Sequence, residues 1–193
     1  VFFWYMLDKK IMETITLTLL PFILILSSLN AEEEKSYLKT KDEISTKIRK
    51  YYAEMSKENI KFAETFFSED VEVSINDLKV SGKKNYIERL NTIHKKLFKD
   101  MKVEELHVHT NYFSPEALTS DGKTAADISP DEPLIWTNAW GTITGVGRVT
   151  NKKISFRMHM DFRTSKGKVI HMLAYYDPTQ MNEEIKALEA SEK

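Results

Sequence analysis

The chain has 193 residues, a formal net charge of −1 from 28 Lys and Arg against 29 Asp and Glu, and no cysteine. The balanced charge provides no field to draw the protein to nucleic acid or anionic lipid. The lack of thiols excludes a disulfide framework, a lipoprotein anchor and a cysteine nucleophile. Once the front is set aside, roughly 160 residues remain, one domain's worth and enough to bury a core without covalent staples.

At the front, Lys9 and Lys10 precede an apolar run from Ile15 to Leu26, broken only by Thr16, Thr18 and Pro21 and followed by Ser27-Ser28-Leu29-Asn30-Ala31. A basic stretch, a short apolar core and a small residue at the exit are the parts of a secretory signal peptide. Crossing a bilayer as a helix takes about 20 apolar residues. This run is a dozen and is bounded by acidic residues, so export with cleavage near Ala31 is expected over a retained membrane anchor. Met6 keeps the lysines in front of the run and is the expected start, residues 1–5 then being an alternative start or an over-extended reading frame. The plan is a signal peptide over 1–31, a flexible acidic lead over 32–40, a domain over 41–180 and a C-terminal tail over 181–193. The expected location is periplasmic or extracellular, off the membrane after cleavage.

Within the domain, Ile44, Ile48, Tyr51 or Tyr52, and Met55 recur at helical spacing. Ser56-Lys57-Glu58-Asn59 breaks the pattern, with Ser56 as a cap, and Ile60, Ala63, Phe66 and Phe67 give a second, short helix. Val71, Val73 and Ile75 alternate with polar residues as in a half-buried strand. After a loop at Asn76-Asp77 and Ser81-Gly82, Tyr86, Ile87, Leu90, Ile93, Leu97 and Phe98 form the apolar face of a third helix.

Everything beyond Met101 reads as strand and turn, with strands over Val103 to Phe113, Leu134 to Gly145, Ile154 to Arg163 and Val169 to Tyr176. The polar stretch Ser114 to Pro133 is longer than the roughly 15 residues at which loops become uncommon, and reads as a lid or mobile insertion. Its Asp121, Asp127, Asp131 and Glu132 lack the spaced-ligand pattern of a calcium loop. Helices first and an antiparallel meander after them make an α+β arrangement, in which helices on one face of a bent sheet enclose a cavity.

Asp70-Val71-Glu72-Val73, Gly141-Thr142-Ile143-Thr144-Gly145, Phe162-Arg163, Gly167-Lys168-Val169-Ile170 and Tyr175-Tyr176-Asp177-Pro178, in this order of elements, resemble the nuclear transport factor 2-like (NTF2-like) superfamily. Within it the chain is similar to the SnoaL-like polyketide cyclase and ketosteroid isomerase branch. The resemblance covers about Ile44 to Gln180. It implies a cystatin-like, NTF2-like cone with helices packed on a strongly curved antiparallel sheet, and a homodimer paired through the outer sheet face. The isomerase mechanism of that branch uses a first-helix tyrosine, which Tyr51, sixteen residues before Phe67, would match. It also uses a carboxylate proton shuttle, where Ile75 stands here with Asn76 and Asp77 nearby, and a protonated acid, where Met160 stands. With those two groups missing or displaced, true ketosteroid isomerase activity is not expected.

Strand alternation puts Phe156, Met158, Met160 and Phe162 on one face and Arg157, His159, Asp161 and Arg163 on the other. A three-residue turn at Ser165-Lys166-Gly167 would set Phe162 opposite Ile170, Met160 opposite Met172 and Met158 opposite Ala174, with the Met and Phe side inward and Leu173 and Tyr175 outward. A shift of one residue would instead turn His159 and Asp161 inward for acid–base work. His107 and His109 share a strand face about 6.5 to 7 Å apart. A metal there would need a further ligand that the sequence does not supply, so neither metal nor cofactor is expected. Trp136, Asn138 and Trp140 share a face that serves either the pocket wall or the outer dimer patch. No phosphate cradle or nucleophile elbow is present.

The expected function is binding of a small, mostly apolar molecule, with Tyr51 as polar anchor and Ile75, Trp140, Met158, Met160, Phe162, Met172 and Tyr176 as the wall. The first alternative is a cyclase, isomerase or hydratase using Tyr51 with His159/Asp161 or Asp77. The second is a non-catalytic dimeric interaction module whose cavity is filled by its own side chains.

Overall fold

The computed structural model describes residues 38–111 and 135–192. The expected signal peptide, most of the expected acidic lead and the stretch from Ser114 to Pro133 lie outside the described residues. The first helix, α1 (Glu43–Met55), starts where Asp42 accepts a hydrogen bond from the Ser45 backbone N–H at 3.1 Å. That bond satisfies one of the donors a helix start leaves open. Its stripe of Ile44, Ile48, Tyr51, Tyr52 and Met55 is buried, as the spacing predicts. Ser56 caps α1 at its C-terminal end, its hydroxyl donating to the Tyr52 carbonyl, and α2 (Lys61–Phe66) begins after Ile60 with no side-chain cap.

A seven-stranded, curved and unclosed sheet carries the fold. In chain order its strands are β1 (Leu38–Lys39), β2 (Phe67–Ile75), β3 (Leu78–Ser81), β4 (Phe98–Asn111), β5 (Trp136–Gly147), β6 (Lys153–Ser165) and β7 (Lys168–Tyr176); in space they run β1-β4-β5-β6-β7-β2-β3. All pairings are antiparallel except β2 with β7, which is parallel. The end of the acidic lead is therefore structured, since Leu38 and Lys39 pair with Asn111 and Thr110.

The curvature has an identifiable cause. β4 carries two irregularities, between Lys99 and Lys102 and between Glu104 and His107, where Asp100 and Glu105 adopt φ of 56° and 52°. Bulges of this kind bend a strand and increase its twist. Opposite them on β5 stand Gly141 and Gly145. A Cβ on Gly141 would lie 2.8 Å from the Glu104 carbonyl oxygen, and one on Gly145 would lie 3.3 Å from the Lys99 carbonyl oxygen. The glycines let β4 lean over the helix-facing side of β5.

The β6–β7 turn has two residues, Lys166 and Gly167, with φ of 50° and 72°. Positive φ at both positions is the signature of the turn whose twist matches a hairpin. A bulge between Arg163 and Thr164 follows, so Phe162 pairs with Met172, Met160 with Ala174 and Met158 with Tyr176. The expected register is displaced by two residues, one from the shorter turn and one from the bulge. Two such steps return each side chain to its original face, so Phe156, Met158 and Phe162 are buried while Arg157 and His159 are exposed.

The helix-facing core holds Phe67, Phe98 and Phe162, fully buried and each contributing roughly 1.5–3 kcal/mol. At one end a buried hydroxyl chain, Ser45–Thr110–Thr137 at 3.0 Å per step, ties α1 to β4 and β5. Helix α3 (Lys83–Thr92) follows β3 and continues into a π-helical turn, Ile93–Leu97; Phe98 already belongs to β4. Beyond Pro178 the chain is helical rather than strand and turn: α4 (Thr179–Ser191) occupies most of the expected tail. Its Glu184 is 2% exposed and accepts from the Val149 and Thr150 N–H groups and the Thr150 hydroxyl, fastening α4 to the β5–β6 turn.

Replacing Gly141 by Ala should cost about 1–3 kcal/mol, because its Cβ displaces backbone rather than a movable side chain. The urea midpoint should fall with the m-value unchanged. An unaltered midpoint would disprove the close approach.

Candidate functional site

Between the helices and the sheet lies a cavity of ≈ 100 Å³. From α1 it receives Tyr51, Tyr52 and Met55; from β2 Ile75; from α3 Tyr86, Arg89 and Leu90; and from the π turn Ile93 and His94. The sheet adds Ile143, Phe156, Met160, Met172, Ala174 and Tyr176, and α4 adds Met181. Drug-sized pockets run to roughly 300 Å³ and more, whereas about 150 Å³ admits benzene. The space is smaller than one that admits benzene and fits a short chain of a few heavy atoms.

Its inner end is built around two phenols. Tyr51 Oη lies 2.6 Å from Tyr86 Oη, both rings are buried, and Phe67 and Phe162 pack against Tyr51 with centroids 5.6 and 6.1 Å away. Two hydroxyls joined by one hydrogen bond leave one O–H over. Besides the other phenol it has the weak acceptor Met172 Sδ, 3.7 Å from Tyr86 Oη. Burial pushes the Tyr51 phenol up to about 12, although the Tyr86 hydrogen bond opposes the shift, and burial and then the charge of Tyr51 raise Tyr86 well above its ordinary value. Both stay neutral through the physiological range. A neutral phenol pair donates a hydrogen bond to a ligand oxygen and does not take a proton from carbon.

The other end is polar in a different way. Arg89 Nη2 is 3.4 Å from the Tyr176 hydroxyl and 3.8 Å from Met181 Sδ, and among the described residues no carboxylate lies within ion-pairing distance of it. His94, 4% exposed, has Nδ1 without a hydrogen-bond partner among the described residues. Burial depresses its imidazole and the nearby Arg148 adds to that, while Glu58 opposes it. Exposed Lys102 stands at the rim.

No family model matches the sequence, and no curated protein matches it. Solved structures do. A candidate polyketide cyclase from Silicibacter superimposes with a TM-score of 0.55 at 13% identity, over 73% of this chain and 93% of that one. One from Pseudomonas putida gives 0.53 at 16%, over 72% and 94%. A candidate SnoaL-like polyketide cyclase from Shewanella denitrificans gives 0.52 at 10%, over 76% and 99%. The fold is that of the NTF2-like superfamily. Identities this low carry the NTF2-like architecture and leave the chemistry to the site.

In this NTF2-like cone Tyr51, Ile75, Met160, Met172 and Tyr176 line the cavity. Met158 and Phe162 face the helices but lie behind the phenol layer: Tyr52 Oη is 3.8 Å from Met158 Sδ, and the Tyr52 and Phe162 rings meet at 6.4 Å. Trp140 is not wall. It is 39% exposed on the outer face, stacked on His107 at 4.3 Å, because its parity opposes that of Ala139 and Gly141. His159 and Asp161 pair with each other at 2.8 Å on that same outer face, away from Tyr51. Asp77 is exposed in the β2–β3 turn, while neighbouring Asn76 bonds the Tyr176 backbone. Among the described residues no group of three or more His, Cys, Asp or Glu is placed to hold a metal ion.

Sequence reasoning missed Tyr86 as partner of Tyr51, and missed Arg89 and His94. Arg89 stands three after Tyr86, inside the apolar stripe Tyr86-Leu90-Ile93, and a cation in such a stripe was the available signal. His94, four after Leu90, falls on the same stripe, and an imidazole there was the corresponding signal.

The Tyr51 ring-carbon NMR signal should be unmoved at pH 10 and titrate near pH 12. The folded value lies above the unfolded value of about 10, so its stability contribution is whole below pH 10 and is lost as pH rises through 12. Titration of Tyr51 at its ordinary value would show the phenol to be solvated.

Proposed function

We propose that this domain binds a small, mostly apolar molecule in the cavity, with its oxygen held by the Tyr51–Tyr86 phenol pair. The observation that carries this reading is the buried hydroxyl pair inside an otherwise aromatic and sulfur-rich wall. Such a wall adapts to ligand shape, and a few polar groups in an apolar pocket fix orientation. The structural neighbours described as candidate cyclases support a small-molecule site in this architecture. Against catalysis of the isomerase kind stand Ile75 and Met160, apolar at both acid–base positions. Export of the domain is part of the proposal and rests on residues 9–31 of the sequence alone.

Native mass spectrometry of protein from its own host should show a co-purifying small molecule. Ala174→Leu, which grows a side chain into the cavity, should abolish it. A fitting compound at a hundredfold excess over its Kd adds about 2.7 kcal/mol of stability. Thermal-shift screening with small apolar alcohols and ketones should therefore find compounds that raise Tm in the native chain and not in Ala174→Leu. Equal responses of the two proteins would remove the cavity from consideration.

A homodimer through the outer sheet face is favoured by a second observation. His107, Trp140, His159 and Tyr175 form one cross-strand row over β4 to β7, with Trp140 39% and Tyr175 50% exposed. Contiguous aromatic exposure of this kind marks an interface. Trp140→Lys should convert a dimer to a monomer in sedimentation equilibrium; a native chain that sediments as a monomer would refute it.

A further inference from the structure

We propose that the molecule bound in the cavity is a small monocarboxylate that carries a second oxygen, its charged head held between Arg89, the Tyr176 hydroxyl and His94 while the second oxygen meets the phenol pair. This deepens the binding reading and rests on it. Three observations converge. Arg89 is a half-buried guanidinium in the cavity wall whose only contacts among the described residues are a hydroxyl at 3.4 Å and a thioether at 3.8 Å. A guanidinium has five N–H donors in a fork that matches a carboxylate. A half-buried charge without an anion is costly, and a ligand anion would offset that cost.

The second observation is charge sign. Among the described residues the cavity wall contains Arg89, Lys102 and His94, and no Asp or Glu. Glu58, the acid whose charge acts on His94, is already committed to Arg148 at 2.8 Å. The described wall therefore favours an anion beside Arg89.

The third is His94 itself. It sits on the π turn, a rare geometry that recurs at functional sites. Arg89, five residues earlier, lines the same cavity. Its Nδ1 is buried and unpartnered among the described residues, and a buried polar atom left so is costly. With the imidazole neutral, an Nδ1–H can donate to the second carboxylate oxygen. The cavity's ≈ 100 Å³ suits a short-chain acid.

The test compares propionate and 3-hydroxypropionate with propionamide and 3-hydroxypropionamide, titrated into the purified full chain and into Arg89→Gln, by NMR. In the native chain the carboxylates should bind at least tenfold tighter than their amides. In Arg89→Gln this preference should vanish. The 15N resonance of His94 Nδ1 in the native chain should shift further with propionate than with propionamide, a readout that stands even if Arg89→Gln does not fold. Equal affinity for acid and amide, a preference that survives Arg89→Gln, or an unmoved His94 resonance would overturn the carboxylate site while leaving an apolar pocket in place. Failure of all four compounds to bind would overturn both readings.

Discussion

The bulged strand β4 leans over two glycines of β5, and the rest of the molecule depends on that close approach. A side chain at Gly141 would meet the backbone carbonyl of Glu104, so the two strands reach their observed proximity only with hydrogen there. The lean curls the sheet, and a curled sheet cannot lie flat against the helices. Ser45, Thr110 and Thr137 fix one end of the sandwich through buried hydroxyls, and Glu184 fixes α4 at another edge. The hollow left between these fixed points is the cavity.

What the cavity can do follows from which groups are neutral in it. Two phenols kept protonated by burial are donors, and the imidazole of His94 is biased toward its neutral form by the same desolvation. Among the described residues no wall residue is an anionic base. The wall is thus equipped to hold oxygen atoms at two ends of an apolar body, a recognition chemistry in which both polar ends are supplied by helices and the middle by sheet.

Much of this was legible in the sequence because it is local. The stripe of α1 and the alternation of β6 assigned Tyr51 and Met160 to the interior without knowledge of their partners. The β6–β7 register was expected two residues away from where it lies, and the face survived because side-chain direction repeats every two residues. What stayed hidden depends on distant chain or on a broken period. The parallel pairing of β2 with β7 joins segments about a hundred residues apart. The stripe of α4, Met181-Glu184-Ile185-Leu188, has a carboxylate at its centre, and only the β5–β6 turn explains why an acid is buried there. Trp140 has a wall residue's chemistry and the wrong parity; Ala139 and Gly141 on either side of it, both small, gave no hint of which face was full.

The placement of the indoles has a practical side. Trp136 and Trp140 both stand on the outer face, ringed by Arg163, His171, His107 and His159, and neither reaches the hollow. Their intrinsic fluorescence is an optical reporter of that surface. It will respond when sheets associate or when the surrounding imidazoles gain protons, and it will be blind to whatever enters between helix and strand.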